Sequence, residues 1–277
     1  MEKREILKNS LLLKNSIKSV AIGSFDGIHL AHQKLIKKAE GVVVIERGVA
    51  TLTPGWKRTI FTKKPTFFYM LTKIKHLTPE KFIEMLEIDF PKLEKIIIGY
   101  DFSFGKDKSG SIDTIKKNFK GKVEVISEVK VYNISVHSRI IRELIKNNNL
   151  TLANKMLNRA YKIDGIHIKG QGLGAKELVP TINLNVANYT LPQGVFAVNA
   201  YINGIIYKAV CFIGHRTTTD SKFAVEVHIL DNFIDKIKER VWIEFISFIR
   251  ENRKFNNLAE LKEQIFRDIE IAKEVLA

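Results

Sequence analysis

The stretch Gly23-Ser24-Phe25-Asp26-Gly27-Ile28-His29-Leu30-Ala31-His32 sets two imidazoles three residues apart beside two glycines and an aspartate. That combination suits phosphate chemistry. Gly23 and Gly27 let backbone N–H groups approach an anion closely, and a helix N-terminus adds the positive end of its dipole. His29 and His32 can then donate hydrogen bonds to the phosphates of a nucleotide. The neighbouring residues supply the positioning. Val20-Ala21-Ile22 predicts a strand, and Leu35, Ile36 and Ala39 fall at helical spacing, so the segment reads as strand, glycine turn, helix start. An isolated H-x-x-H is as often incidental as functional. The glycines, Asp26 and the strand-turn-helix context shift the balance toward function.

Three further groups carry polar chemistry. Gly99-Tyr100-Asp101-Phe102-Ser103-Phe104-Gly105-Lys106 directly follows the apolar run Ile96-Ile98; alone it reads equally as a core turn with two packed phenylalanines. Pro180-Thr181-Ile182-Asn183 follows a loop containing Gly170, Gly172 and Gly174, whose glycines suit close backbone approach to phosphate. Thr181 and Asn183, two apart on an extended segment, point the same way and offer neutral oxygens suited to Mg²⁺ with a nucleotide. In Ala224-Val225-Glu226-Val227-His228-Ile229-Leu230, alternation puts Glu226, His228 and Leu230 on one face. That face is either a functional surface or a strand's polar side in water.

The elements that must hold these groups follow from periodicity. Val20-Ile22, Val42-Ile45, Ile96-Ile98 and Val123-Ile126 read as strands, separated by helical segments at Gln33-Ala39, Pro79-Leu86 and Asp113-Phe119. That alternation predicts a parallel sheet with helices on both faces, ligands binding at the carboxyl ends of its strands. Helices are expected at Arg139-Lys146 and Thr151-Leu157, with Thr151 as the N-cap of the second. From Tyr161 the period changes to two, with strands at Tyr161-Ile168, Val195-Ile202, Ile206-Ile213, Phe223-Leu230 and Val241-Phe245, and with Asn203-Gly204 as a hairpin turn. This predicts a small all-β barrel. Leu258, Leu261, Ile265, Ile269, Ala272 and Leu276 lie on one face of a closing helix that covers it. The expected domains are 1–158 and 159–277.

The chain's 277 residues, 45% of them hydrophobic, suffice for two packed cores. No apolar run approaches the roughly 20 residues of a bilayer span, and the start lacks a signal-peptide core. The single Cys211 excludes an internal disulfide and a cysteine metal cluster, so the expected compartment is the cytoplasm. The net charge of +15 raises a nucleic-acid-binding alternative, which would show steep salt dependence. The lysines are scattered without a basic arm, so no specific nucleic-acid partner is expected and no membrane; the field suits polyanionic small molecules. Oligomeric state is open.

The first motif resembles the G-x-F-D-x-x-H-x-G-H signature of the HxGH nucleotidyltransferase superfamily, in the form typical of bacterial FAD synthetases, with Ala31 for glycine. Gly99–Gly105 is similar to the same family's G-x-D-F-x-F-G element. Ser138 and Arg142 match its S-S-T-x-x-R helix start, where His137 and Arg139 replace Ser and Thr. Pro180–Asn183 resembles the P-T-A-N element of riboflavin kinases, and Val225–Asp231 their V-E-V-H-I-L-D strand. The order along the chain is that of bacterial bifunctional riboflavin kinase/FAD synthetases.

The resemblance implies an α/β nucleotidyltransferase domain followed by a riboflavin kinase barrel with a C-terminal helix. The implied reactions are ATP-dependent phosphorylation of riboflavin to FMN and adenylylation of FMN to FAD. ATP and Mg²⁺ would serve both. The implied catalytic residues are Glu226 as the base for riboflavin's 5′-hydroxyl, His29 and His32 on ATP phosphates, Ser138 on phosphate, and Arg142 on the leaving pyrophosphate. Gly23, Phe25, Asp26, Gly27, Gly99, Asp101, Phe102, Phe104 and Gly105 would form the nucleotide and flavin site. In the kinase, Gly170, Gly172, Gly174 and Pro180 would bind nucleotide, and Thr181 and Asn183 the metal. The kinase family's G-R-x-x-G-F appears here without its Arg and second Gly. Lys169, Lys176 and Arg216 are candidates for the missing positive charge. A second reading keeps FAD synthesis and treats the barrel as an impaired kinase that binds flavin.

Overall fold

The computed structural model describes residues 12–169, 178–218, 220–230, 237 and 240–277. Contacts divide the chain into two units, between Ser138 and Arg139.

In the first unit, strands β1 (Ser19–Gly23), β2 (Gly41–Glu46), β3 (Thr66–Met70), β4 (Lys95–Gly99) and β5 (Lys122–Ile126) form one sheet in the order β3-β2-β1-β4-β5. All four pairings are parallel. Alternation along β1 explains why both faces are covered. Val20 and Ile22 join Phe82, Ile83 and Leu86 of helix α2 (Pro79–Asp89) and Ile115 of α3 (Ile112–Asn118). Ala21 joins Leu35 and Ile36 of α1 (Leu30–Lys37) on the opposite face. Burying such side chains on both faces contributes about 1.5–3 kcal/mol each. The expected parallel sheet is present, with β3 as a fifth strand beyond the four read from sequence.

The order has a functional consequence. β1 and β4 are neighbours, and the chain leaves them on opposite sides, so their carboxyl ends flank the sheet's switch point. The turns after Gly23 and Gly99 are the two glycine motifs.

In the second unit, α4 (Ser138–Lys146, counted here from Arg139) and α5 (Leu150–Leu157) precede the first barrel strand. Asn149, rather than Thr151, caps α5: its side chain accepts from the Leu152 N–H at 3.2 Å. The helix starts one residue before Thr151, which therefore lies inside its first turn. Strands β8 (Tyr161–Ile168), β9 (Ile182–Asn185), β10 (Gly194–Ile202), β11 (Ile205–His215), β12 (Phe223–Ile229) and β13 (Val241–Arg250) close an antiparallel barrel. The short pair β6 (Lys130–Val131) and β7 (Ile134–Ser135) belongs to the first unit. Asn203 and Gly204 join β10 to β11 with φ of +50° and +81°, the left-handed pair that a tight hairpin requires.

Alternation also sorts the barrel strands. In its interior Tyr161 stacks on Phe245, which Phe196 meets edge to face, alongside Cys211, Val225 and Val227. Val195, Ala197 and Val210 face outward and are covered by Ile269 and Ala272 of helix α6 (Leu258–Leu276). Asp268 of α6 is buried and takes a forked ion pair from Arg250 at the end of β13, with the Arg250 Nη2 at 2.8 Å and Nε at 2.9 and 3.0 Å. Leu258, expected on the covered face, is exposed at the first turn.

Candidate functional sites

In the first unit, the turn after β1 is built from unusual backbone. Phe25, Gly27 and Ile28 have φ of +53°, +88° and +41°. For a β-branched residue such as Ile28 this conformation is strained, and the surrounding contacts must impose it. Asp26 supplies several of them. Its Oδ1 accepts from the N–H groups of Leu52 at 2.9 Å and Thr53 at 3.0 Å, and its Oδ2 from that of Thr51 at 3.2 Å. In return the Gly27 N–H donates to Thr53 Oγ1 at 2.7 Å. The segment Thr53-Pro54-Gly55-Trp56 is thereby fixed beside the first motif. Phe25 and Ile28 are buried in the apolar core on the α1 face of the sheet.

His29 caps α1. Its Nδ1 accepts from the His32 N–H at 3.5 Å, and the two rings stack with centroids 3.6 Å apart. An accepting Nδ1 puts the proton of a neutral imidazole on Nε2, the tautomer that presents an N–H donor. His29 is buried and His32 half-buried.

The other first-unit residues converge on the same sheet end. The Ser138 hydroxyl donates to the backbone carbonyl of Asp26 at 2.7 Å. Tyr100 OH and His137 Nε2 lie 3.1 Å apart, and His137 Nδ1 stands 4.0 Å from exposed Asp101. Gly99 ends β4, and the Phe102 N–H returns to its carbonyl. Phe102 stacks on Phe104, which is buried against Phe82; Gly105, at φ +73°, lets the loop pass Pro79. Gly23, Asp26, Gly27, His29, His32, Ser138 and the Gly99–Gly105 loop thus share one sheet end. Phe25 and Phe104 hold its base as core side chains. Arg142 lies on α4, on the second unit's side of the division, and is half-buried.

The second unit holds a cleft between α6 and the outer face of β10, β11 and β12, open at its mouth. Its walls are largely apolar, from Val195, Val210, Phe212, Phe255, Leu261 and Ile265. Thr181, Glu226, His228 and Arg216 bring polar groups to it. That composition is typical of a site for a flat, mostly apolar ligand with a polar end.

Glu226 stands on β12 directly opposite Asn183 of β9. Thr181 lines the cleft two residues earlier, and the Pro180 carbonyl accepts from His228 Nδ1 at 2.8 Å. Burial pushes the Glu226 carboxyl above the ordinary range, against the opposing pull of Arg216. Arg216 Nη1 donates to Glu226 Oε1 at 3.1 Å, while its Nε and Nη2 engage Asp220 at 3.0 and 3.1 Å. The sequence marked Arg216 only as a candidate positive charge, because pairing of the β11–β12 turn with the strand beyond it leaves no periodic trace. Lys169 is exposed at the end of β8. Gly170, Gly172, Gly174 and Lys176 lie outside the described residues.

Both units therefore offer what transfer of a phosphorus group needs: a glycine turn with imidazoles at a sheet's switch point, and a carboxylate beside neutral oxygens in a largely apolar cleft. The class is that of phosphotransferases and nucleotidyltransferases. Comparison with known proteins agrees. Residues 157–276 match the family model for riboflavin kinase, and residues 66–140 that for FAD synthetase. A bifunctional riboflavin kinase/FMN adenylyltransferase of Bacillus subtilis is 30% identical over 93% of this chain and 92% of its own. One from Buchnera aphidicola is also 30% identical, over 94% of each. A solved structure described as a macrolide-efflux protein from Streptococcus pneumoniae has a TM-score of 0.82 at 24% identity, covering 94% of this chain and 96% of that one; it speaks for the fold alone. The chain belongs to the bifunctional riboflavin kinase/FMN adenylyltransferase family.

Proposed function

We propose that this protein makes FMN from riboflavin at the barrel and FAD from FMN at the parallel sheet, consuming ATP in each reaction. The observation that carries this reading is Glu226, a carboxylate opposite Asn183 and beside Thr181 on the wall of an apolar cleft. No feature of the described residues favours an impaired, flavin-only barrel.

At the barrel, the apolar walls take the isoalloxazine and leave the ribityl chain directed at Glu226. Glu226 accepts the proton of the 5′-hydroxyl as that oxygen attacks the γ-phosphorus of ATP, and ADP departs. A base held at the reacting hydroxyl contributes roughly 10²- to 10⁴-fold. The elevated carboxyl pKa makes Glu226 a better proton acceptor than an exposed glutamate. Thr181 and Asn183 fit a Mg²⁺ ion shared with ATP, since neutral side-chain oxygens complement a metal whose charge is met by phosphates. Bound there, the ion would neutralise charge on the transferred phosphoryl. Among the described residues no cluster of three or more His, Cys, Asp or Glu forms a separate metal cage.

At the sheet, an FMN phosphate oxygen attacks the α-phosphorus of ATP and pyrophosphate leaves. The chain forms no covalent intermediate, so positioning and charge stabilisation do the work. His29 and His32 hold phosphate oxygens at the N-terminus of α1. Ser138 fixes the carbonyl of Asp26 and presents its hydroxyl to phosphate. Tyr100, Asp101 and Phe102 border the flavin, and Gly23, Gly27, Gly99 and Gly105 allow the two loops to approach it. We place the catalytic-domain boundary near Arg159, just before β8. No helix among the described residues is long and apolar enough to cross a membrane, and the cytoplasm, where thiols stay reduced, suits the lone buried Cys211.

The test is chromatographic analysis of products after incubation with Mg²⁺-ATP and either riboflavin or FMN. FMN and then FAD should appear from riboflavin, and FAD alone from FMN. FAD from FMN with no conversion of riboflavin would reject the kinase assignment.

A further inference from the structure

Resting on the kinase reading of the barrel, we infer that Arg216 is a second catalytic residue, one that contacts the phosphoryl group as it passes from ATP to riboflavin. Its position requires the group to come near. Arg216 Nη1 lies 3.1 Å from Glu226 Oε1. A hydroxyl held by Glu226 sits roughly 2.6–3.2 Å from the carboxylate, and the phosphorus it attacks roughly 3–3.5 Å beyond. The transferred group is therefore within reach of the same guanidinium.

The guanidinium is also held for that task. Asp220 holds its other edge, accepting from Nη2 at 3.1 Å with Nε 3.0 Å from the same carboxylate, from within the same turn between β11 and β12. That turn is tied down in its own right. The Arg216 N–H donates to the Lys222 carbonyl, the Ser221 N–H to the Arg216 carbonyl, and Thr218 Oγ1 accepts from the Phe255 N–H at 3.1 Å. Asp220 can keep the guanidinium in place while Nη1 exchanges the carboxylate of Glu226 for a phosphoryl oxygen. A planar, permanently charged fork suits that exchange.

The step balances as follows. The riboflavin 5′-oxygen forms a bond to the γ-phosphorus and gives its proton to Glu226. The bond from that phosphorus to the β,γ-bridging oxygen breaks, and ADP leaves with the electron pair. Arg216 neutralises charge on the oxygens of the transferring group.

The experiment compares wild type, Arg216→Lys and Arg216→Ala, the last with and without added guanidinium ion. It reads kcat and KM for FMN formation and the riboflavin Kd by flavin fluorescence. Loss of a charge-stabilising donor predicts a kcat roughly 100-fold lower in Arg216→Ala, with the riboflavin Kd within a few-fold of wild type. Guanidinium ion should restore part of that rate, and lysine should be intermediate. Wild-type kcat in either variant would overturn the inference, as would loss of rate in Arg216→Ala that guanidinium does not relieve. If Arg216→Ala loses riboflavin binding altogether, Arg216→Lys decides: an unchanged kcat rejects the role. A wild-type protein that makes no FMN would instead overturn the kinase reading itself.

Discussion

The hydroxyl of Ser138 donates to the backbone carbonyl of Asp26 at 2.7 Å, joining two motifs 112 positions apart in the chain. This bond fixes the carbonyl side of the turn whose other side, the Asp26 carboxylate, holds residues 51–53. The turn is clamped from both directions.

Ser138→Ala removes one hydrogen bond and its hydroxyl, at a cost of about 1 kcal/mol. The expected result is a KM for ATP in FMN adenylylation raised roughly fivefold, the equivalent of that energy, with FMN formation from riboflavin unchanged. Steady-state kinetics of each half-reaction would check it.

Asp26→Ala leaves the N–H groups of Leu52 and Thr53 buried without their acceptor. Unsatisfied buried donors are costly, and the strained φ of Phe25 and Ile28 loses its main restraint. A loss of about 3 kcal/mol is expected in the urea unfolding of the first unit, followed through its tryptophan, Trp56. Asp26→Asn keeps one acceptor oxygen and should lose less.

Much of this was legible in the sequence, and the exceptions have physical causes. The strands β1, β2 and β4 announce themselves as apolar runs because they are covered on both faces, and β5, at one edge, still shows the apolar Val123, Val125 and Ile126. β3 is the opposite edge strand, with Phe68 and Met70 exposed, and Thr66-Phe67-Phe68-Tyr69-Met70 lacks that signature. The motif spacing indicated a phosphate turn at His29 and His32. It did not reveal that His29 is itself the helix cap, since imidazole is an uncommon cap. Alternation placed Glu226 and His228 on one face of β12 and the family resemblance singled out Glu226, whereas the ion pair with Arg216 depends on how a turn folds back.

Arg250 and Asp268 fasten α6 over the apolar cleft, with the Asp268 side chain 2% exposed. Removing one member of a buried, hydrogen-bonded pair costs about 3–5 kcal/mol. Asp268→Ala should destabilise the barrel by that amount and weaken riboflavin binding, because Leu261 and Ile265 on α6 line the cleft. Calorimetry and flavin fluorescence would measure the two effects.

Acid should weaken the first unit through Glu46. Burial raises its carboxyl pKa, yet the hydrogen bond from Arg58, at 2.5 Å, and those from the Gly48 and Arg47 N–H groups outweigh this and leave it lowered. A folded value below the unfolded one stabilises the fold above about pH 4.3, and that contribution disappears as pH falls through the folded value. Glu46→Gln should therefore lower stability at neutral pH and flatten its decline in acid. Urea midpoints measured from pH 7 to pH 3 would show both.

The most direct test of two separate active sites is to set Glu226→Gln against His29→Asn, the latter chosen because asparagine retains a helix-capping oxygen. Each variant is assayed for FMN from riboflavin and for FAD from FMN. Glu226→Gln should lose the first reaction by roughly 100-fold or more and keep the second. His29→Asn should lose the second and keep the first. Equal loss of both reactions in either variant, or loss of neither in both, would contradict the account.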